Sequence, residues 1–214
     1  GAYLGVKVER IFIEAEDLEE KTDKVETLLE EADGILLTPG FGKRGVEGMI
    51  QATRFAIENS KPFLGICFGA QLLFIAFMRY RVGLKEANST EIDPNTPHPA
   101  VDLLPEQKSQ QWLGGTMRLG AHQVKIVPGT RLYDAYKQEV VYERFRHRYH
   151  INPEYRELAE RHGLVVSSTD PTGNIINSIE IPGNTFIIGV QFHPEFKSRP
   201  NSPSPVYLEF IKTA

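Results

Sequence analysis

The sequence predicts an α/β fold: a mainly parallel sheet flanked by helices, with a sharp turn at Cys67. Three observations predict it. The run Phe63-Leu64-Gly65-Ile66-Cys67-Phe68-Gly69-Ala70-Gln71-Leu72-Leu73 joins an apolar strand to an apolar helix through a cysteine set between glycines. This is the pattern of a nucleophile elbow, in which a tight strand-to-helix turn exposes a nucleophile at the carboxyl edge of a sheet. Short apolar runs alternate with amphipathic ones before and through this point. The last third of the chain returns as short strands divided by turn signals.

Taken in order, Val6 to Ile13 reads as a strand, Glu19 to Glu31 as an exposed charged helix and Gly34 to Leu37 as a short buried strand. Val46 to Asn59 reads as an amphipathic helix whose apolar side carries Met49, Ile50, Phe55, Ala56 and Ile57. Pro62 to Ile66 is the strand that feeds the elbow. Leu164 to Ser168, Ile175 to Ile181 and Phe186 to Gln191 are later strands rich in β-branched residues, with turns at Asp170-Pro171-Thr172-Gly173 and Pro182-Gly183-Asn184 and a hairpin toward the end. Pro94 to Gln111 and Ser198 to Pro205 read as long loops. Neither divides the chain and no repeat is present, so residues 1–214 are expected to form a single domain.

A chain of 214 residues with 41% hydrophobic content can bury a full core in one domain. A net charge of −4 with no long basic run speaks against nucleic acid or an anionic membrane as a partner. One cysteine leaves no internal disulfide, and no apolar run approaches the roughly 20 residues of a membrane span or the core of a signal peptide. The expected compartment is reducing and cytoplasmic.

Free cysteine is among the most buried residue types, so a lone one is by default a small core residue. Gly65 and Gly69 change that reading, because a turn this sharp needs residues without bulk beside the nucleophile. Gly40-Phe41-Gly42-Lys43-Arg44-Gly45 matches the G-x-G-x-x-G of dinucleotide-binding turns. That motif expects an acid about 20 residues on, at the end of the next strand, and Cys67 holds that place. A better use of the glycines is to bring backbone N–H groups close to negative charge developing beside Cys67.

A thiolate nucleophile needs a base, and the base needs an orienting partner. Gln191-Phe192-His193-Pro194-Glu195-Phe196 supplies both at the end of an apolar strand. Two residues apart in an extended segment, His193 and Glu195 point to one side, where the carboxylate can fix the imidazole tautomer. The plainer alternative is a surface His-Glu pair. A zinc-deaminase reading of H-x-E needs a P-C-x-x-C partner that one cysteine cannot supply, so no metal site is expected.

The elbow Gly65-Ile66-Cys67-Phe68-Gly69-Ala70-Gln71 and the segment Gln191 to Phe196 resemble the class I glutamine amidotransferases, whose triad is Cys, His and Glu on an α/β fold. Arg44 to Gly48, Ala87 to Glu91, Gly114 to Gly120 and Arg146 to Tyr149 add a likeness to the glutaminase domain of the CTP synthase family, from about Val6 to the end. The resemblance implies that Cys67 attacks the side-chain amide of L-glutamine, that His193 moves the protons and that Glu195 orients His193. It implies the backbone N–H groups of Gly40 and Phe68 as the oxyanion hole, and Gly40, Gln71, Glu91 and Arg148 as glutamine-binding residues. A free amino acid carries one cation and one anion, so an acid and a guanidinium placed apart suit it. The plainer uses are Arg148 as a solvated member of the basic stretch Arg144 to Arg148, and Glu91 as a helix or loop cap.

The same resemblance implies that the ammonia is consumed by a synthase domain, which precedes the glutaminase, binds ATP, Mg and UTP, and forms CTP. No cofactor is expected in the residues given, where no G-x-x-x-x-G-K-[ST] loop occurs. GTP is implied as an effector, with Arg44 and Arg118 toward the nucleotide or the other domain. Also implied are a homo-oligomeric full enzyme and a first strand and helix left incomplete at Gly1 to Gly5. The chain departs from the family's pattern where P-G-G-F-G becomes Thr38-Pro39-Gly40-Phe41-Gly42, at Phe68 and Ala70 in place of Leu and Met, and at Phe145 and His150 in place of histidine and glutamate. Proline has no N–H to donate. The alternative function is therefore a catalytically weak binding or regulatory module of the same fold. An independent γ-glutamyl hydrolase fits the Gly114 to Gly120 and Arg146 to Tyr149 motifs less well.

Overall fold

The structure is a computed structural model that describes residues 1–20, 23–103, 107 and 117–214. Its centre is β2 (Phe63–Ile66), buried at all four residues. β1 (Ile35–Leu37) and β10 (Ile187–Val190) flank it, both parallel, with Ile35 and Ile187 in register with Phe63. The sheet continues through β9 (Ile176–Glu180), β8 (Val165–Thr169), β5 (Arg118–Ile126) and β6 (Val140–His147), giving the order β1-β2-β10-β9-β8-β5-β6. Every pairing beyond β10 is antiparallel. The expected mainly parallel sheet is thus a mixed one, parallel in the three strands around the elbow. Parallel neighbours need a crossover, which α3 (Val46–Glu58) supplies between β1 and β2, whereas the later strands include pairs joined by short turns. A second sheet comprises β3 (Ala87–Ser89), β4 (His98–Asp102) and β7 (His150–Ile151).

α4 (Phe68–Phe77) leaves the elbow with every residue buried, the behaviour of a helix that is apolar all round. Glycines let it sit close on the sheet. A Cβ on Gly65 would lie 2.5 Å from Gly69 O, one on Gly69 2.7 Å from Leu37 O, and one on Gly189 2.9 Å from Ala70 Cα. The glycines beside Cys67 therefore form a packing notch as well as a turn. β2 divides two cores: Phe63 joins Ile50, Ala56, Leu72 and Phe74, while Leu64 and Ile66 join Phe145, Val190, Phe192 and Phe210.

Several expectations are corrected. Val6 to Ile13 is irregular rather than a strand, and Phe12 is 85% exposed. An apolar run becomes a strand only where a neighbour offers a ladder, and among the described residues none pairs with this segment. The charged helix expected over Glu19 to Glu31 divides into α1 (Ala15–Glu19) and α2 (Asp23–Glu31), with residues 21 and 22 outside the described ones. Pro94 to Gln111, expected as a loop, contains β4. The strand tolerates Pro99 because it uses that residue's carbonyl, which accepts from Asn152 Nδ2 at 2.9 Å. Residues 104–106 and 108–116 lie outside the described ones, and with them Gly114, Gly115 and Thr116 of the glycine motif. The long antiparallel β5–β6 pair has no clear hydropathy signal. The buried positions of β6 are Val141, Glu143, Phe145 and His147, so polar residues break the inward apolar pattern.

Candidate active site

Cys67 stands at φ 54° and ψ −100°, outside the regions an L-residue prefers. Such a residue holds about 1–3 kcal/mol of strain. It belongs to strand and helix at once: its N–H donates to Val190 O at 2.7 Å, and its carbonyl accepts from the N–H groups of Ala70 and Gln71 at 3.1 and 3.3 Å. The side chain is buried, with Sγ 3.8 Å from Arg146 O and 3.6 Å from Gln191 Nε2.

His193 follows β10 and is anchored by its N–H to Arg144 O of β6 at 2.8 Å. The chain then closes a 3₁₀ turn over Pro194–Phe196, and this turn, not an extended segment, returns Glu195 to the imidazole. Glu195 Oε1 lies 2.6 Å from His193 Nδ1, and the Phe196 ring stacks on the imidazole with centroids 5.1 Å apart. A carboxylate at Nδ1 holds a proton there and leaves Nε2 for chemistry. Nε2 is buried and has no hydrogen-bond partner. Burial alone would depress the imidazolium, but the Cys67 sulfur and the Glu195 carboxylate outweigh it, and the pKa is raised to about 9. The sulfur thus acts on the ring through proximity, although the resting rotamers make no aligned hydrogen bond.

Gly40 packs on Phe68, where a Cβ would come within 3.3 Å of Phe68 Cδ1. The Phe68 N–H is one of the free donors at the start of α4. Among the described residues neither the Gly40 nor the Phe68 N–H donates a hydrogen bond. Glu91 accepts from the Gly42 N–H at 3.1 Å and so ties down the glycine loop, where Gly42 takes a φ of 83°. Glu91 and Arg148 meet electrostatically at Tyr149. Burial raises that phenol's pKa, Glu91 raises it further, and Arg148 opposes both. Gln71 is buried and donates through Nε2 to Tyr149 O at 2.8 Å and to Gln191 Oε1 at 3.1 Å.

Arg44 and Arg118 stand apart from this cluster. Arg44 is exposed and pairs with Glu16. Arg118 lies 3.9 Å over the Phe145 ring and donates to Asn177 Oδ1 at 2.6 Å, and burial lowers its pKa to about 10. Two departures from the family's pattern meet here: Phe145 is the platform for Arg118, and His150 is buried, its pKa lowered to about 4 by burial and by Arg118. The sequence motifs assign no role to Gln191 or to the Tyr149 carbonyl. The signal for Gln191 is a glutamine closing the apolar run Phe186 to Val190. Among the described residues no group of three or more His, Cys, Asp or Glu could hold a metal ion, and no helix is long and apolar enough to cross a membrane.

The family model described as Glutamine amidotransferase class-I matches residues 1–213. The chain belongs to the class I glutamine amidotransferases. This amidotransferase chain is 52% identical over 211 residues to the CTP synthase of Saccharolobus solfataricus, covering 99% of the chain and 39% of that protein. It is 50% identical over 212 residues to the CTP synthase of Caldanaerobacter subterraneus, again covering 99% of the chain and 39% of the relative. It therefore spans well under half the length of these curated relatives. Among solved structures, the glutaminase domain of Trypanosoma brucei CTPS with bound acivicin matches with a TM-score of 0.93 and 35% identity, covering 99% of this chain and 82% of that one. A glutamine amidotransferase from Thermotoga maritima matches at a TM-score of 0.52 and 16% identity over 90% of this chain and 61% of that one, a likeness of fold alone. The elbow-bearing α/β fold and the family expected from the motifs are those found.

Proposed function

We propose that this chain is the glutaminase half of a CTP-forming ligase and hydrolyses L-glutamine to glutamate and ammonia through a Cys67 thioester. The observation that supports the reading is a strained elbow that carries Cys67 together with a His193 imidazole held by Glu195 at 2.6 Å through Nδ1 and left with an unpartnered Nε2; the sulfur and the carboxylate raise the imidazole's pKa to about 9. The sulfur attacks the amide carbon, and the oxygen becomes an anion received by the N–H groups of Gly40 and Phe68. Each such donor lowers a barrier by about 3 kcal/mol. His193 gives its Nε2 proton to the amide nitrogen, the C–N bond breaks, and ammonia leaves behind a glutamyl thioester.

Acylation removes the charge on sulfur, one of the two influences that hold the proton on His193. The imidazole becomes the better base. It takes a proton from water as the oxygen attacks the thioester carbonyl, and collapse of the second tetrahedral intermediate expels the thiolate and frees glutamate. Glu195 keeps Nε2 facing the reaction in both halves. Gln71, Glu91 and Arg148 hold the ammonium and carboxylate of the substrate.

The likeness to CTP synthases supports a synthase domain of the longer protein as the consumer of the ammonia. ATP, Mg and UTP would bind there, and GTP would act as effector. Arg44, on the surface, is the readier of the two arginines for nucleotide or domain contact; Arg118 would act from its position over Phe145. A cytoplasmic, reducing compartment suits a single nucleophilic cysteine.

Intact-mass spectrometry after incubation with diazo-oxo-norleucine, an electrophilic glutamine mimic, tests the reading. One adduct on Cys67, prevented by excess glutamine, is expected. No adduct, or one that glutamine does not prevent, overturns it.

A further inference from the structure

The buried amide of Gln191 has no part in the mechanism above, yet it touches the nucleophile. We propose that Gln191 is a catalytic residue whose side-chain N–H donates to the Cys67 sulfur, stabilising it as an anion before attack and again when it leaves the glutamyl thioester. The inference rests on Cys67 being the nucleophile.

The direction of this hydrogen bond follows from a chain of contacts that starts at a backbone carbonyl. An isolated amide can be turned either way, but Tyr149 O can only accept. Gln71 must therefore present its nitrogen there, at 2.8 Å. The same nitrogen lies 3.1 Å from the Gln191 side chain, which must then present its oxygen. This leaves the Gln191 nitrogen facing Cys67 Sγ at 3.6 Å. Turning either amide over would set like groups face to face where Gln71 is 3% and Gln191 0% exposed, and an unmatched buried polar group is costly. The participants are held independently: Gln71 by α4, Tyr149 just after β6, and Gln191 at the end of β10, where its N–H donates to Asn177 O at 2.8 Å.

The sulfur thereby has a partner for each protonation state. As a thiol it donates to Arg146 O at 3.8 Å, and as a thiolate it accepts from Gln191. A donor at sulfur favours the reactive anion and makes the thiolate a better leaving group from the thioester, so both halves of the reaction depend on it.

The test uses two variants of the whole chain. Gln191→Met keeps the length and removes the donor. Gln191→Glu keeps the shape and the acceptor for Gln71 but turns an oxygen toward the sulfur. The rate of Cys67 alkylation by iodoacetamide is followed across the neutral and alkaline range, with circular dichroism to show that the fold is kept. Loss of one hydrogen bond to a charged group predicts about a tenfold slower alkylation at neutral pH in both variants. If Gln191→Met does not fold, Gln191→Glu decides. In the unmodified chain, the Gln191 side-chain amide resonance should move when Cys67 is alkylated, and a stationary resonance overturns the proposal without any variant. Folded variants with the parent's alkylation profile also overturn it, including any that lose turnover, which would make Gln191 a structural residue. If instead the glutaminase reading is wrong, the parent chain itself shows no glutamine-protected adduct.

Discussion

Replacing Gly69 by alanine sets the local preference of α4 against its fit on the sheet. Alanine is better than glycine inside a helix by about 1 kcal/mol, and Gly69 lies in the first turn of α4. Propensity alone therefore predicts a gain. The added Cβ, however, would stand 2.7 Å from Leu37 O and 2.9 Å from Leu37 Cβ, where ordinary contact begins at 3.4 Å. Strand backbone cannot swing aside, so the helix must lift by roughly 0.7 Å. Overpacking of this kind costs about 1–3 kcal/mol, which leaves a net loss of up to about 2 kcal/mol. The loss of rate is greater, because the lifted turn carries Cys67 and the Phe68 N–H, and a displacement of about 1 Å costs on the order of a hundredfold. Urea unfolding gives the stability, and release of ammonia from glutamine gives the rate. A Gly69→Ala chain that is more stable and equally active would show that the contact with Leu37 does not hold the turn.

With His193 as the proposed proton donor to the departing ammonia, kcat/KM should fall on the alkaline side with a midpoint near 9. Glu195→Gln removes a charge that holds this proton, so its pH–rate profile should turn down at lower pH. His150 acts in the opposite sense: its pKa is lowered from 6.5 to about 4, so the folded chain binds fewer protons than the unfolded one between those values. The stability present above 6.5 is lost as the pH falls toward 4, and thermal melts across that window should show a shallower decline in His150→Asn. Pro39→Gly should leave the glutaminase rate within about twofold, since the proposed donors are the amides of Gly40 and Phe68; a tenfold or larger gain in ammonia release would implicate the amide at position 39. Glu91→Gln keeps an oxygen for the Gly42 N–H but loses the charge, so steady-state kinetics should show a higher KM for glutamine with little change in kcat.

The elbow and its helix are legible in the sequence because what they require is contiguous. Gly65, Cys67 and Gly69 stand where the backbone must turn and pack, and the apolar residues after them admit only a buried helix. His193 and Glu195 are legible for the same reason, although a 3₁₀ turn rather than an extended strand joins them. Val6 to Ile13 misleads because strand character depends on a neighbour that the segment itself cannot specify. The β5–β6 pairing is hidden because Glu143 and His147 take inward places where hydropathy expects apolar residues.

What the sequence determined by itself was the local chemistry: a cysteine between glycines, a histidine two residues from a glutamate, and the motifs of a glutamine-hydrolysing family. Only the tertiary structure decided which way the buried amides face. Gln71 and Gln191 are 120 residues apart, and their polarity is set by the Tyr149 carbonyl, which meets them through a different part of the chain. A hydrogen bond has a direction only once both partners are in place. Pattern along the chain can propose a nucleophile, whereas its electrostatic surroundings come from residues that the fold alone brings within a few ångströms.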